Sequence, residues 1–306
     1  MSTRDVIGAL FVALIWGSNF CVVKTTLNEL PPFLFLMFRF LLVSLPFIWF
    51  FPRPKVPWKY LLGIGLTQWI LHFGLLTSAL SLGMTAGMGS LLLQTQAIFT
   101  IAFSAFLYGF RPQKSQLSGI TIAFIGLALI AYQVGGASGG VLAFGAIFAS
   151  AISNSVANLI YRRMGTDVDM TSVIVWSGLI PPIPMFLLSL GLDGWDEIVC
   201  CVTNISGFGI SGVIYTAVVS TLLAANVWGT LMNRNEPGKV IPFSLLIPVV
   251  GITAGVIALG EEFTLANFLA SLLIISGLVI NQWGPSLSKI LSWRGIKLQK
   301  TIPLQE

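Results

Sequence analysis

Apolar runs of about 20 residues alternate with short polar breaks along almost the whole chain. A helix needs about that many mostly apolar residues to cross a bilayer at roughly 1.5 Å per residue. The pattern predicts ten spanning helices, at roughly 5–26, 32–51, 59–81, 85–108, 115–134, 141–161, 171–190, 207–231, 238–259 and 265–283. The breaks carry turn chemistry: Pro31-Pro32, then Pro52, Pro54 and Pro57, Arg111-Pro112, the Gly-rich stretch 135–140, Asp193-Gly194, and Asn235 to Gly238.

Composition points the same way. The chain has 306 residues, 56% hydrophobic and 9% charged, with mean hydropathy +0.91. Soluble domains carry about 25% charged residues, so this chain could not cover a water-facing surface. It reads as an all-α integral membrane protein with the lipid bilayer as its surroundings. The first run, after Arg4, continues to about Val23 without a small-residue cleavage site and reads as a span rather than a removable signal. With the N-terminus in the cytoplasm, all but two of the 16 Lys and Arg fall in inside segments. Glu29, Asp193, Asp196, Glu197, Glu261 and Glu262 fall outside. That sorting fits ten spans with both termini cytoplasmic. The two exceptions are Lys24 and Arg39. The basic residues form no patch, so the net charge of +5 implies no nucleic-acid partner. Cys21, Cys200 and Cys201 make neither a disulfide framework nor a metal spacing.

The pattern is written twice. GALF at 8–11 is echoed by GAIF at 145–148, and at that offset Arg39 meets Trp176. Later, Gly109 meets Gly260 and Gly126 meets Gly277, and the longer loop around Cys200 absorbs the change of offset. These matches predict two five-helix repeats, residues 1–136 and 137–284, followed by a basic cytoplasmic tail, 285–306. Five is odd, so the second copy enters the membrane inverted. In transporters of this plan the substrate site lies near mid-membrane between the halves.

WGSNFCVVK at 16–24, PPFLFLMFRF at 31–40 and PFSLLIPVVGITAGVIALGEE at 242–262, on this two-fold plan, resemble the EamA branch of the drug/metabolite transporter superfamily. RPKVP at 53–57, GMTAGMGSLLLQTQAIFTI at 83–101, IVWSGLIPPIP at 174–184 and WGTLMNR at 228–234 are similar to its bacterial subgroup that exports cysteine and O-acetylserine. The resemblance spans residues 5–284. It implies a central cavity in a bacterial inner-membrane protein and efflux of small amino acids and related metabolites by alternating access. Export of drugs, sugars or nucleotide-sugars on the same fold is the alternative. One departure stands out. Where the family usually ends the fourth helix with Gly-Glu-Arg, this chain has Gly109-Phe110-Arg111, while the second copy keeps Gly260-Glu261.

Polar residues inside the spans are the candidates for a substrate path. Gln94 and Gln96 lie two residues apart, about 200° around a helix, so they cannot both face one cavity. One is expected to line the path and the other to bond a neighbouring helix. Further polar positions recur on single faces: Trp16 and Asn19; Gln68 and His72; Ser150, Asn154 and Asn158; Tyr215 and Asn226. Such stripes face protein or water, and helix packing is the competing reading for each. Amides, hydroxyls and aromatics suit a small zwitterion. His72 is the one histidine, either a satisfied bonding partner or the only ordinary proton carrier, because no Asp or Glu lies well inside a span. That favours facilitated efflux or proton coupling without a buried carboxylate. Lys24 and Arg39 suggest an outer gate that attracts a carboxylate or pairs with Glu29. The competing reading has Lys24 snorkelling and Arg39 bonding helix-end carbonyls. Pro248, expected near the middle of the ninth helix, removes a backbone bond and can expose a carbonyl there.

Enzyme readings fare poorly. Gly207, Gly209 and Gly212 spell G-x-G-x-x-G, but at the start of an apolar span with no preceding strand. No Walker motif appears, and no catalytic constellation, cofactor or metal is expected. Pairing of two copies is left open.

Overall fold

A computed structural model describes residues 1–108, 113–134, 138–165, 168–235 and 240–280. The Gly109-Phe110-Arg111 departure, most of the Asn235 to Gly238 break and the basic tail 285–306 lie outside the described residues. Every element among them is helical. In chain order they are α1 (Thr3–Thr26), α2 (Pro32–Ser44), α3 (Trp58–Ser81), α4 (Ala86–Leu107), α5 (Lys114–Leu129), α6 (Gly140–Met164), α7 (Met170–Leu192), the surface helix α8 (Trp195–Asn204), α9 (Gly207–Met232), α10 (Phe243–Leu259) and α11 (Leu265–Ile280). Six of them, α1, α3, α4, α6, α7 and α9, are long and apolar enough to cross a membrane. Large apolar side chains such as Trp49, Phe106, Ile183 and Ile257 point outward and exposed, as a lipid-facing surface requires.

Local chemistry sets where the helices begin. Ser2 and Asp5 form a reciprocal capping box on α1. Pro32 opens α2 at a position where its missing N–H has no helical partner to lose. Thr85, Asp169 and Ser206 accept first-turn N–H groups of α4, α7 and α9.

Several spans are less regular than the periodicity predicts. The α-helical part of α2 stops at Ser44: Leu45 keeps helical dihedrals and bonds Leu41, but Pro46, next in the chain, has no N–H to continue the ladder. Turns at 178–181, beside Gly178 and Pro181-Pro182, interrupt α7. At Gln94-Thr95, α4 tightens: their N–H groups bond Leu91 and Leu92 three residues back, both at 3.1 Å. There the Thr95 hydroxyl also bonds the Leu92 carbonyl, competing with the regular ladder.

Two spans widen instead. Gly65–His72 in α3 and Tyr215–Leu223 in α9 are π-helical. Side chains of neighbouring helices bond the carbonyls of these wide turns. Ser153 donates to Thr67 O at 2.8 Å, Ser150 to His72 O at 2.9 Å, and Trp16 Nε1 to Ser220 O at 3.1 Å.

The helices pack in matched pairs. α1 packs on α10 and α9, as α6 packs on α4 and α3; α2 meets α9 as α7 meets α3. α2–α7 and α4–α10 also pack together. α5 and α11 approach closely through the two glycines aligned in the sequence. A Cβ on Gly126 would lie 2.8 Å from the Ala270 carbonyl, and one on Gly277 would lie 2.5 Å from that of Gly119.

Candidate functional site

The polar side chains bond across the interfaces of the helices that pack in matched pairs. On α4 and α6, the Asn154 amide bonds Gln96 Oε1 directly. Ser155 Oγ and Thr100 Oγ1 both donate to the Gln96 carbonyl, at 2.7 and 2.8 Å. One turn further along, the exposed Asn158 reaches Thr100 at 3.5 Å. Gln94 points the other way, and its Nε2 donates to Ser244 O on α10 at 3.0 Å. Each of the two amides therefore has a partner on a different neighbouring helix.

Pro248 explains the Gln94 bond. It is the third residue of the α-helical stretch Leu246–Leu259, after a 3-10 turn, rather than near the middle of the helix as the periodicity suggested. A regular helix would send the N–H of residue 248 to the carbonyl of residue 244. Proline has no N–H, and the Ser244 carbonyl, which also meets the Leu246 N–H, takes a side-chain donor from Gln94.

On α1, α7 and α9 a second group forms. Trp16 bonds the π turn at Ser220 and packs on Trp228, ring centroids 5.6 Å apart. The Tyr215 hydroxyl lies 3.1 Å from Ser18 Oγ. The exposed Asn226 amide donates to Thr171 Oγ1. Asn19 is buried, and its Oδ1 has no partner among the described residues.

On α3, Gln68 and His72 both fall in the π turn and part company. His72 is buried with Nδ1 2.8 Å from Ser150 Oγ, whereas Gln68 Oε1 is buried without a partner among the described residues. Arg39 is 1% exposed. Its Nε and Nη2 both donate to Thr221 Oγ1, at 3.1 and 2.8 Å, and that hydroxyl donates to Thr216 O. Its guanidinium lies 4.3 Å from the Phe73 ring centroid, within cation–π range. Among the described residues it bonds Thr221 rather than the helix-end carbonyls considered from sequence.

At the far end of the bundle, away from the chain's N-terminus, opposite charges meet. Lys24 Nζ lies 2.9 Å from Glu261 Oε1. The same carboxylate accepts the first backbone N–H groups of α4, from Ala86 at 2.5 Å and Gly87 at 3.1 Å. A carboxylate at a helix N-terminus meets both free donors and the positive end of the helix dipole. Lys24, α4 and α10 are thus held at one point. The partner proposed from sequence, Glu29, is engaged elsewhere: it accepts Ser206 N and Oγ, both at 2.8 Å, at the start of α9. Glu261 and Thr221 were missed because each partner is distant in the sequence. The Gly260-Glu261 motif was the only sequence signal for the first, and nothing singled out the second.

A wholly apolar groove of about 390 Å³ lies between α2 and the α8–α9 junction, lined by Phe38, Leu42, Ile205 and Ile214 among others. It is separate from these polar groups. Among the described residues no cluster of His, Cys, Asp and Glu could hold a metal ion.

Two proteins described as probable amino-acid metabolite efflux pumps are similar to this chain. The one from Escherichia coli (strain K12) is 40% identical, covering 96% of this chain and 98% of its own. The one from Salmonella typhimurium (strain LT2) is 42% identical, covering 93% and 96%. A solved crystal structure of a protein superposes with TM-score 0.60 at 20% identity, covering 92% of this chain and 96% of that one, a likeness of fold alone. The model of the EamA-like transporter family matches residues 3–132 and again 138–282. The chain belongs to the EamA-like transporter family.

Proposed function

We propose that this chain is a secondary transporter of the bacterial inner membrane that exports small amino acids and related metabolites, with cysteine and O-acetylserine as the first candidates. Ten spanning helices in two inverted five-helix copies carry substrate by alternating access, with both termini in the cytoplasm. The paired family matches support the two copies. So do the paired helix contacts and the two π segments, which begin seven residues into α3 and eight into α9. The efflux names of the 40–42% identical relatives support the direction and the substrate class.

One observation carries the path. Asn158 and Asn226 are exposed amides inside apolar spans, each bonded to a neighbouring helix. An exposed amide at that depth belongs against water rather than lipid. Both lie in the halves of their helices away from the Lys24–Glu261 closure. In this state the polar path opens towards the cytoplasm, lined by Gln96, Asn154, Asn158, Trp16, Tyr215 and Asn226, and the far gate at Lys24 is shut. Gln94 and Pro248 hold α4 to α10 beside it, and His72 fixes α3 to α6.

Purified protein in liposomes tests this. Vesicles are loaded with labelled cysteine, O-acetylserine, threonine, an aromatic amino acid or a sugar, and release is followed with and without a pH gradient. Release of the small amino acids, slowed about tenfold by Asn154→Leu or Gln96→Leu, is expected. Release of the sugar or the aromatic compound alone transfers the reading to the drug and sugar exporters of this fold.

A further inference from the structure

The strongest unexplained feature is the positive charge of Arg39. Lys24, the other cation set apart in the sequence, has a carboxylate beside it. Arg39 has none: it is 1% exposed, and among the described residues its N–H groups reach only the Thr221 hydroxyl. Its Nη1 is buried without a partner among the described residues. A guanidinium presents five N–H donors in a fixed fork suited to binding a carboxylate through two parallel bonds. Here two donors crowd onto one hydroxyl, and one edge of the fork is idle.

Among the described residues no carboxylate stands beside Arg39. The sequence holds 11 Asp and Glu, and none lies well inside a span. The two nearest the outer ends of α1 and α10 are already engaged, Glu29 with Ser206 and Glu261 with Lys24 and α4. An interior that keeps a cation without an internal counter-charge is complementary to an anion brought from outside.

The geometry points to Arg39 as the residue that binds the substrate's carboxylate, through its idle Nη1 edge, once the bundle opens. This rests on the export of amino acids proposed above and adds what the neutral amides cannot supply, a charge that tells an acid from its amide. Phe73 under the guanidinium plane and Thr221 at its other edge hold it in place, leaving the free edge for the ligand. Thr221 belongs to the π turn of α9, so a carboxylate that draws Arg39 away releases its bond to that turn. Arg39 thereby links occupancy of the site to the packing of α2 against α9.

The test is competition in liposomes. Labelled cysteine is the transported probe, and unlabelled cysteine and cysteinamide are the competitors, for wild type, Arg39→Lys and Arg39→Gln. In wild type, cysteinamide should compete at least tenfold more weakly than cysteine. Arg39→Gln should lose tenfold or more of cysteine transport together with that discrimination, and Arg39→Lys should keep part of both. Equal competition by acid and amide in wild type overturns the assignment. So does Arg39→Gln moving cysteine at the wild-type rate, or a residual transport that still prefers the acid tenfold. If the wild type moves no cysteine, the export reading fails for that substrate, and the Arg39 site is read from melting of the detergent-solubilised protein. Glycine or acetate raising the midpoint of wild type but not of Arg39→Gln sustains it; equal shifts, or none, remove it. Arg39→Lys, which keeps the charge, shows whether Arg39→Gln fails merely to fold.

Discussion

Gln94 sits in an apolar run with its partner on another helix, next to a proline. Pro248 cannot give the Ser244 carbonyl its usual N–H, and the Gln94 amide does so across the α4–α10 interface. Interhelical bonds of this kind contribute about 1 kcal/mol or less. Gln94→Leu should therefore lower stability by about that amount, seen as a lower melting midpoint in detergent. Pro248→Ala restores a backbone donor, so Gln94→Leu should destabilise that background less than it destabilises wild type. Equal losses in the two backgrounds would show that the amide does not substitute for the missing N–H. The sequence shows an amide that needs a partner, and Pro248 names the carbonyl four residues back. What it does not show is that α4 and α10 lie side by side. Gln96 was legible to the same degree: its separation from Gln94 put it on another face, while Asn154 as its partner depends on packing.

The far-end Glu261 contact belongs to the scale of helices, because one carboxylate holds three of them. Gly260 adopts a left-handed conformation, φ 64°, which favours glycine. It turns the chain so that Glu261 reaches back over the first turn of α4. Glu261→Ala should loosen this end more than Lys24→Ala does, since it also strips Ala86 and Gly87 of their acceptor. Swapping the charges, Lys24→Glu with Glu261→Lys, should not restore transport, because a lysine cannot accept those N–H groups. Full recovery in the swapped protein, measured as cysteine release from liposomes, would reduce the closure to a simple ion pair. Lys24 could be recognised from sequence as an out-of-place cation. Its partner could not, since nearly the whole chain separates the two and Glu29 stood closer. The sequence pattern reads α2 and α7 as unbroken spans, although Pro46, Gly178 and Pro181 were the available signal for their breaks. The π turns in α3 and α9 had no such signal, because their residues read as ordinary apolar helix and only the neighbouring hydroxyls and Trp16 reveal the wide carbonyls.

Across the whole molecule, apolar periodicity announced a helical membrane protein, and the sorting of Lys and Arg proposed an orientation that packing alone does not reveal. The surface helix α8 offers a direct way to read that orientation. Cys21 is buried in α1, whereas Cys200 is exposed on α8 and Cys201 lies half-buried beside it. Burial, with Glu197 alongside, pushes the Cys201 thiol above its ordinary range. The thiolate is the reacting form, so Cys201 should label slowly near neutral pH and faster as pH rises. The unmodified chain thus carries its own side-specific chemical tag. A membrane-impermeant maleimide applied to right-side-out vesicles should attach at Cys200 and spare Cys21. Attachment only in inverted vesicles would reverse the topology and place the Lys24–Glu261 contact at the cytoplasmic face.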